Sequence, residues 1–173
     1  MAVTFPAWWT PEIQKIVNNA HNIEDVMMAR FSEGNIGWSG VLPVYWIPTD
    51  EVTQQILFED SEAFLRIFRL GGEIDTENRT LIHRVQFAAI SEDRNTSWGI
   101  LALVQRVLYS YERASYVVMP DNSKVSVTFL GETLGPILDP QQIRDARLVP
   151  VTVEVATPWP KGVQRVIESN LGI

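Results

Sequence analysis

The ten residues from Leu81 to Ile90 constrain the fold more than any other part of the chain. They alternate: Leu81, His83, Val85, Phe87 and Ala89 fall on one side of an extended backbone, and Ile82, Arg84, Gln86 and Ala88 on the other. From Arg94 the apolar period changes. Trp98, Leu101, Val104, Leu108 and Tyr111 recur at spacings of three and four, while Arg94, Gln105, Arg106 and Arg113 lie largely off that stripe. This predicts an amphipathic helix over 94–113 with Trp98 in the core. A strand leading into such a helix commits the chain to a sheet with helices packed on it.

The remaining segments fill in that frame. Thr10-Pro11-Glu12 carries the marks of a helix start: a capping hydroxyl, a proline at the first position and an acidic first turn. Asn22-Ile23-Glu24-Asp25 is a second cap, so the region to Phe31 is one bent helix or two short ones. Ser32 to Gly40 reads as a loop. Val41 to Ile47 reads as a strand in which Pro43 has no N–H to donate, which assigns it to a sheet edge or a strand start. Residues 52–63 fit an arm, a hairpin or an irregular excursion. Phe64 to Arg69 reads as a strand that Gly71-Gly72 ends. Val125 to Gly135 and Leu148 to Ala156 are further strands, and Pro158-Trp159-Pro160 stops the last. The expected class is α+β: a mixed or antiparallel sheet packed by two helices, in the order α-β-β-β-α-β-β. One domain is expected over 1–173, with an arm at 49–62 and a C-terminal tail at 158–173 holding at most a short helix.

Composition mainly excludes functions. The chain of 173 residues has 21 Asp+Glu against 14 Lys+Arg, a net charge of −7, which argues against binding nucleic acid through a basic face. With no cysteine there is no disulfide framework, thiolate zinc site, iron–sulfur cluster or cysteine nucleophile. The N-terminal residues lack the pattern of a secretory signal, and no apolar run approaches the ~20 residues that span a bilayer. A soluble protein made in a cytoplasm is expected.

Motifs of catalysis are missing too. Gly71-Gly72 lacks the lysine and spacing of a phosphate-binding loop, and no G-x-S-x-G or H-E-x-x-H is present. His83, in mid-strand, reads as a packed histidine rather than a base. The carboxylates Glu59-Asp60-Glu62 and Glu73-Asp75-Glu77 lack the spacing of a calcium loop and read as solvated surface. No catalytic residue, metal or cofactor is assigned, and no enzyme is expected.

The aromatic and arginine residues point instead to contact. Trp8 and Trp9 precede the first helix, where they either staple it or meet a neighbouring subunit. Trp46 and Trp159 flank prolines at strand ends, placed either to fill a neighbour's groove or to cap their own sheet. Arg69 with Gly71 and Gly72, and Arg144, Asp145 and Arg147 before the last strand, are the other candidate contact residues; the bland alternatives are a β-turn and a local salt bridge. Arginines outnumber lysines 11 to 3, which suits bidentate pairs at subunit contacts and equally suits a GC-rich genome.

Three runs carry a family resemblance: Phe64 to Gly72; Arg84 to Ala89, with Arg94 to Trp98 opening a helix; and Gly131-Glu132-Thr133-Leu134-Gly135-Pro136 continuing through Asp139 to Asp145 and Arg147 to Glu154. Together they resemble tail terminator proteins of long-tailed phages, most nearly the version in siphophages of actinobacteria. The likeness covers residues 64–157 well and residues 1–63 in outline. It implies a terminator-like α/β sandwich and a homo-hexameric ring that caps the tail tube and ends its elongation. The implied partners are the chain itself, the tail tube protein and a neck (head-completion) protein. The implied location is the head–tail joint of the virion, after assembly in the host cytoplasm. An acidic lumen would let DNA pass without specific binding. The neighbouring readings are another neck protein or a tube protein, and less readily a small acidic enzyme or ligand-binding domain.

Overall fold

The structure, a computed structural model, describes residues 3–53, 56, 63–111, 115–133 and 149–173. Among these the chain runs through helices α1 (Pro11–His21), α2 (Ile23–Arg30) and α3 (Glu33–Ile36), then strands β1 (Val41–Val44), β2 (Ala63–Asp75) and β3 (Thr80–Ser91). Helix α4 (Arg94–Tyr109) follows, then β4 (Ser115–Val118), β5 (Lys124–Glu132), β6 (Val149–Pro158) and α5 (Lys161–Leu171). The class is α+β, as expected. The order is longer than expected: three helices lead rather than one, β4 is an added strand paired to β5, and the C-terminal tail holds α5.

Local chemistry sets the helix boundaries. Thr10 Oγ1 accepts the N–H of Ile13 and Pro11 occupies the first turn of α1. Asn22 ends α1 and starts α2, so the leading region is two helices. Its N–H donates to Asn18 and its Oδ1 accepts the N–H of Asp25. Asn22→Ala is expected to cost about 1 kcal/mol. A urea midpoint that falls with an unchanged m-value would register it.

The six strands form one sheet in the order β1-β2-β3-β6-β5-β4. β1 pairs parallel to β2 and every other pairing is antiparallel, so the sheet is mixed. β1, with Pro43, is an end strand, where a missing donor costs no ladder bond. One sheet face carries Leu65 and Ile67 of β2, Val85, Phe87 and Ala89 of β3, and Val153 and Val155 of β6. These pack with Ile23, Val26 and Met27 of α2, with Phe31, and with Leu101, Val104 and Leu108 of α4. The opposite face holds a smaller cluster of Phe64, Ala88 and Ile90 beneath Val44, Ile47 and Ile56.

Trp98 is a correction. It is half exposed, and Ser97 takes the buried place in the first turn of α4, bonded to Ser91 Oγ at 3.1 Å. The buried stripe is Ser97, Leu101, Val104 and Leu108, which leaves Trp98 one residue off the face.

Gly71 and Gly72 also differ from expectation. They do not end a strand; β2 runs through them to Asp75. The register slips by one residue between Arg69 and Gly71, and Gly71 has φ 155°. A second slip lies between Phe129 and Gly131 in β5, with Gly131 at φ 148°. Both are β-bulges whose glycine takes a conformation closed to other residues. The pairings Gly71 with Arg84, Arg84 with Glu154 and Glu154 with Gly131 put the two bulges on one transverse row. The middle of that row is the Arg84–Glu154 ion pair at 2.9 Å.

Candidate assembly interface

The described candidate contact residues lie at separate places on the surface. Trp8 and Trp9 meet edge to face at 5.9 Å, and Phe5 stacks on Trp9 at 6.1 Å, so the segment before α1 is an aromatic cluster. Trp159, between β6 and α5, packs its ring against His21 at 5.9 Å, and its backbone N–H donates to the carbonyl of Arg79 in the β2–β3 turn. The N–H of Arg69 donates to Glu24 Oε1 of α2 at 2.7 Å, beyond the point where β1 stops covering β2. Gly72 lies against the backbone of β3, where a Cβ would come within 2.2 Å of the Ile82 carbonyl oxygen. That close approach accounts for the glycine locally. Arg144, Asp145 and Arg147 lie outside the described residues, as does most of the expected arm at 49–62.

Trp46 has the most prominent setting. It follows β1 and is 70% exposed. The Arg66 guanidinium lies 5.1 Å from its ring centroid and 4.9 Å from that of Phe68, and the two rings are 6.0 Å apart. Arg66 Nε donates to the carbonyl of Tyr45. A buried cation between two rings fixes the indole before any partner arrives. Leu42 and Tyr45 are exposed beside it, so this end of the sheet presents a small apolar surface. Arg66 was not among the residues singled out from sequence; its neighbours in Phe64–Arg69 gave only an imperfect alternation.

The far end of the sheet holds a groove of about 690 Å³. Met28 and Ala29 of α2 form one wall, and Val118 and Met119 at the end of β4 form the other, with Asp25 at the rim. Asn35 Nδ2 donates to the Ala29 carbonyl at 2.6 Å and reaches that of Val118 at 3.4 Å, which ties the walls together. No sequence pattern marks this groove, because its walls come from segments ninety residues apart.

Among the described residues the interior holds a histidine, His83. It is buried, and its Nε2–H donates to the Ala20 carbonyl at 3.1 Å, with Thr157 Oγ1 at 2.9 Å. The Thr157 hydroxyl donates to the same carbonyl at 2.7 Å. This arrangement assigns the proton to Nε2 and leaves Nδ1 as a buried acceptor with no partner among the described residues. Burial first, then the charge of Arg69, pushes its pKa down to about 4. His83 is thus the packed histidine its mid-strand position suggested. Among the described residues no group of three or more His, Asp or Glu side chains is placed to hold a metal ion. No helix among them is long and apolar enough to cross a membrane.

No curated protein matches the chain. A family model described as phage tail termination protein matches residues 19–164.

Proposed function

The chain belongs to the phage tail termination protein family, and from that premise we propose that it forms a ring on the end of the tail tube. The match over residues 19–164, which spans the whole sheet, carries this reading. Six copies close the ring. One face meets the last layer of tube protein and stops further addition, and the other meets a neck protein at the head–tail joint of the virion. The phage is a siphophage of the type that infects actinobacteria.

The physical properties of the subunit support the role. A ring requires that one surface of each copy meet a different surface of the next. The exposed aromatic surface at the β1 end and the groove at the β4 end are two such surfaces on opposite ends of one sheet. Trp8, Trp9 and Trp159 remain proposed contacts with the tube or the neck, as do Arg69 and the charged residues Arg144, Asp145 and Arg147. At −7 per subunit, six copies carry −42, and an acidic lumen repels DNA phosphate and lets the genome slide.

Virions carrying an epitope tag on this protein test the reading by negative-stain imaging with gold-labelled antibody. Label confined to the head–tail joint is expected. Label along the full length of the tube would make the chain a tube subunit, and virions without label would overturn the proposal.

A further inference from the structure

Trp46 and the groove beside β4 are complementary, and they sit at opposite ends of the sheet, next to its two end strands β1 and β4. We infer that Trp46 of one copy inserts between α2 and the β4–β5 turn of the next copy. This rests on the ring reading and names the surfaces that build the ring.

Three observations select a second copy as the occupant. The first is preorganisation. Trp46 is mostly exposed yet held from behind by Arg66 and Phe68, so docking orders no loose side chain. A rigid, exposed tryptophan is the residue type that dominates binding energy at protein contacts.

The second is chemical match. The Arg66 cation behind the indole draws electron density from the ring, and the groove offers electron-rich partners: the thioethers of Met28 and Met119 and the carboxylate of Asp25. Asp25 accepts from Asn22 Nδ2 through Oδ2, which leaves Oδ1 for the indole N–H.

The third is position. Trp46 is exposed and does not line the groove of its own copy, so the groove is left for another. A two-fold pair in which each Trp46 fills the other copy's groove would stop at two copies, whereas a head-to-tail step leaves one groove open. Successive copies fill it, and rotation closes the set. Pro43 adds a constraint: as a residue without an N–H in end strand β1, it discourages a neighbour's strand from simply extending the sheet there, so the contact is made by side chains.

The absence of cysteine makes a clean test possible. The double variant Tyr45→Cys with Pro120→Cys places one thiol beside Trp46 and one on the exposed turn at the groove. A disulfide forms only if the two Cα atoms come within about 7 Å across copies. Mild oxidation, in solution and on purified tail tubes, is expected to give a ladder of covalent oligomers that ends at the ring order. Each single variant is expected to stay monomeric on a non-reducing gel. Trp46→Ala is expected to weaken self-association at least tenfold in light scattering, with a single cooperative urea transition retained. Absence of the ladder from a double variant that light scattering shows to be oligomeric would overturn this contact and leave the ring standing. A dimer from a single variant would show like surfaces meeting and would also overturn it. A wild-type chain that stays monomeric both in solution and on tubes would overturn the ring reading itself.

Discussion

Replacing Gly72 by alanine lowers the stability of the folded chain by about 3 kcal/mol, at the upper end of the usual cost of overpacking. The cause is the 2.2 Å approach of the added Cβ to the Ile82 carbonyl oxygen. Ile82 lies in β3, which is paired on both sides by β2 and β6, so its backbone has no room to withdraw. Gly99→Ala is the matched control. Gly99 sits inside α4 with nothing near the position of a Cβ, and alanine there raises stability by about 0.5–1 kcal/mol. Urea denaturation of both variants measures the contrast. Equal midpoints would show that β2 and β3 separate at Gly72 without resistance.

Acidification from pH 7 to 4 removes about 3 kcal/mol of stability through His83 alone. The folded chain accepts a proton there only near pH 4, whereas an unfolded histidine accepts one near 6.5. Between those values the unfolded state holds more protons. Stability from this source is therefore complete above about 6.5, declines as the pH falls, and levels off below about 4. The physical cause is that protonation puts a charge and a new N–H at buried Nδ1, which has no acceptor beside it among the described residues. The carboxyls of Asp50, Asp75 and Asp93 are held below their usual range by N–H groups of Thr53, Asn78 and Thr96, and they titrate under the histidine window. His83→Gln keeps a donor toward the Ala20 carbonyl and has nothing to protonate. Its stability should be nearly flat between pH 6.5 and 4.5, and a wild-type profile equally flat would refute the assignment.

The elements that were legible from sequence are those whose pattern has one interpretation. Alternation over Leu81–Ile90 gave β3, and a cap-plus-proline start gave α1. Pro43 marked a sheet edge or a strand start, where a residue without a donor is tolerated, and β1 is an end strand. Misreadings arose where one composition serves two structures. Gly71-Gly72 is what a turn needs and also what a bulge with a close neighbour needs, and only the partner strand decides. Trp98 lies one residue off the buried stripe, a rotation of α4 that the Ser91–Ser97 contact sets and that hydrophobic spacing alone does not resolve. β4 is four residues long, too short for a periodicity to declare itself. The candidate contact surfaces were only half legible. Trp46 stood out as an aromatic beside a proline, whereas Arg66 behind it and the groove at the far end of the sheet depend on tertiary neighbours.

The row Gly71–Arg84–Glu154–Gly131 acts on the sheet as a score line acts on card. On one side lies a panel pressed against α2 and α4 through Leu65, Phe87 and Val153. On the other lies the hairpin panel that bears Ile74, Arg79 and the contact with Trp159. Bulges at both flanks concentrate twist at that level instead of spreading it along the strands. The pitch of the hairpin panel is thus encoded in two glycines and one ion pair, so it can change by mutation while the packing of the core panel stays as it is.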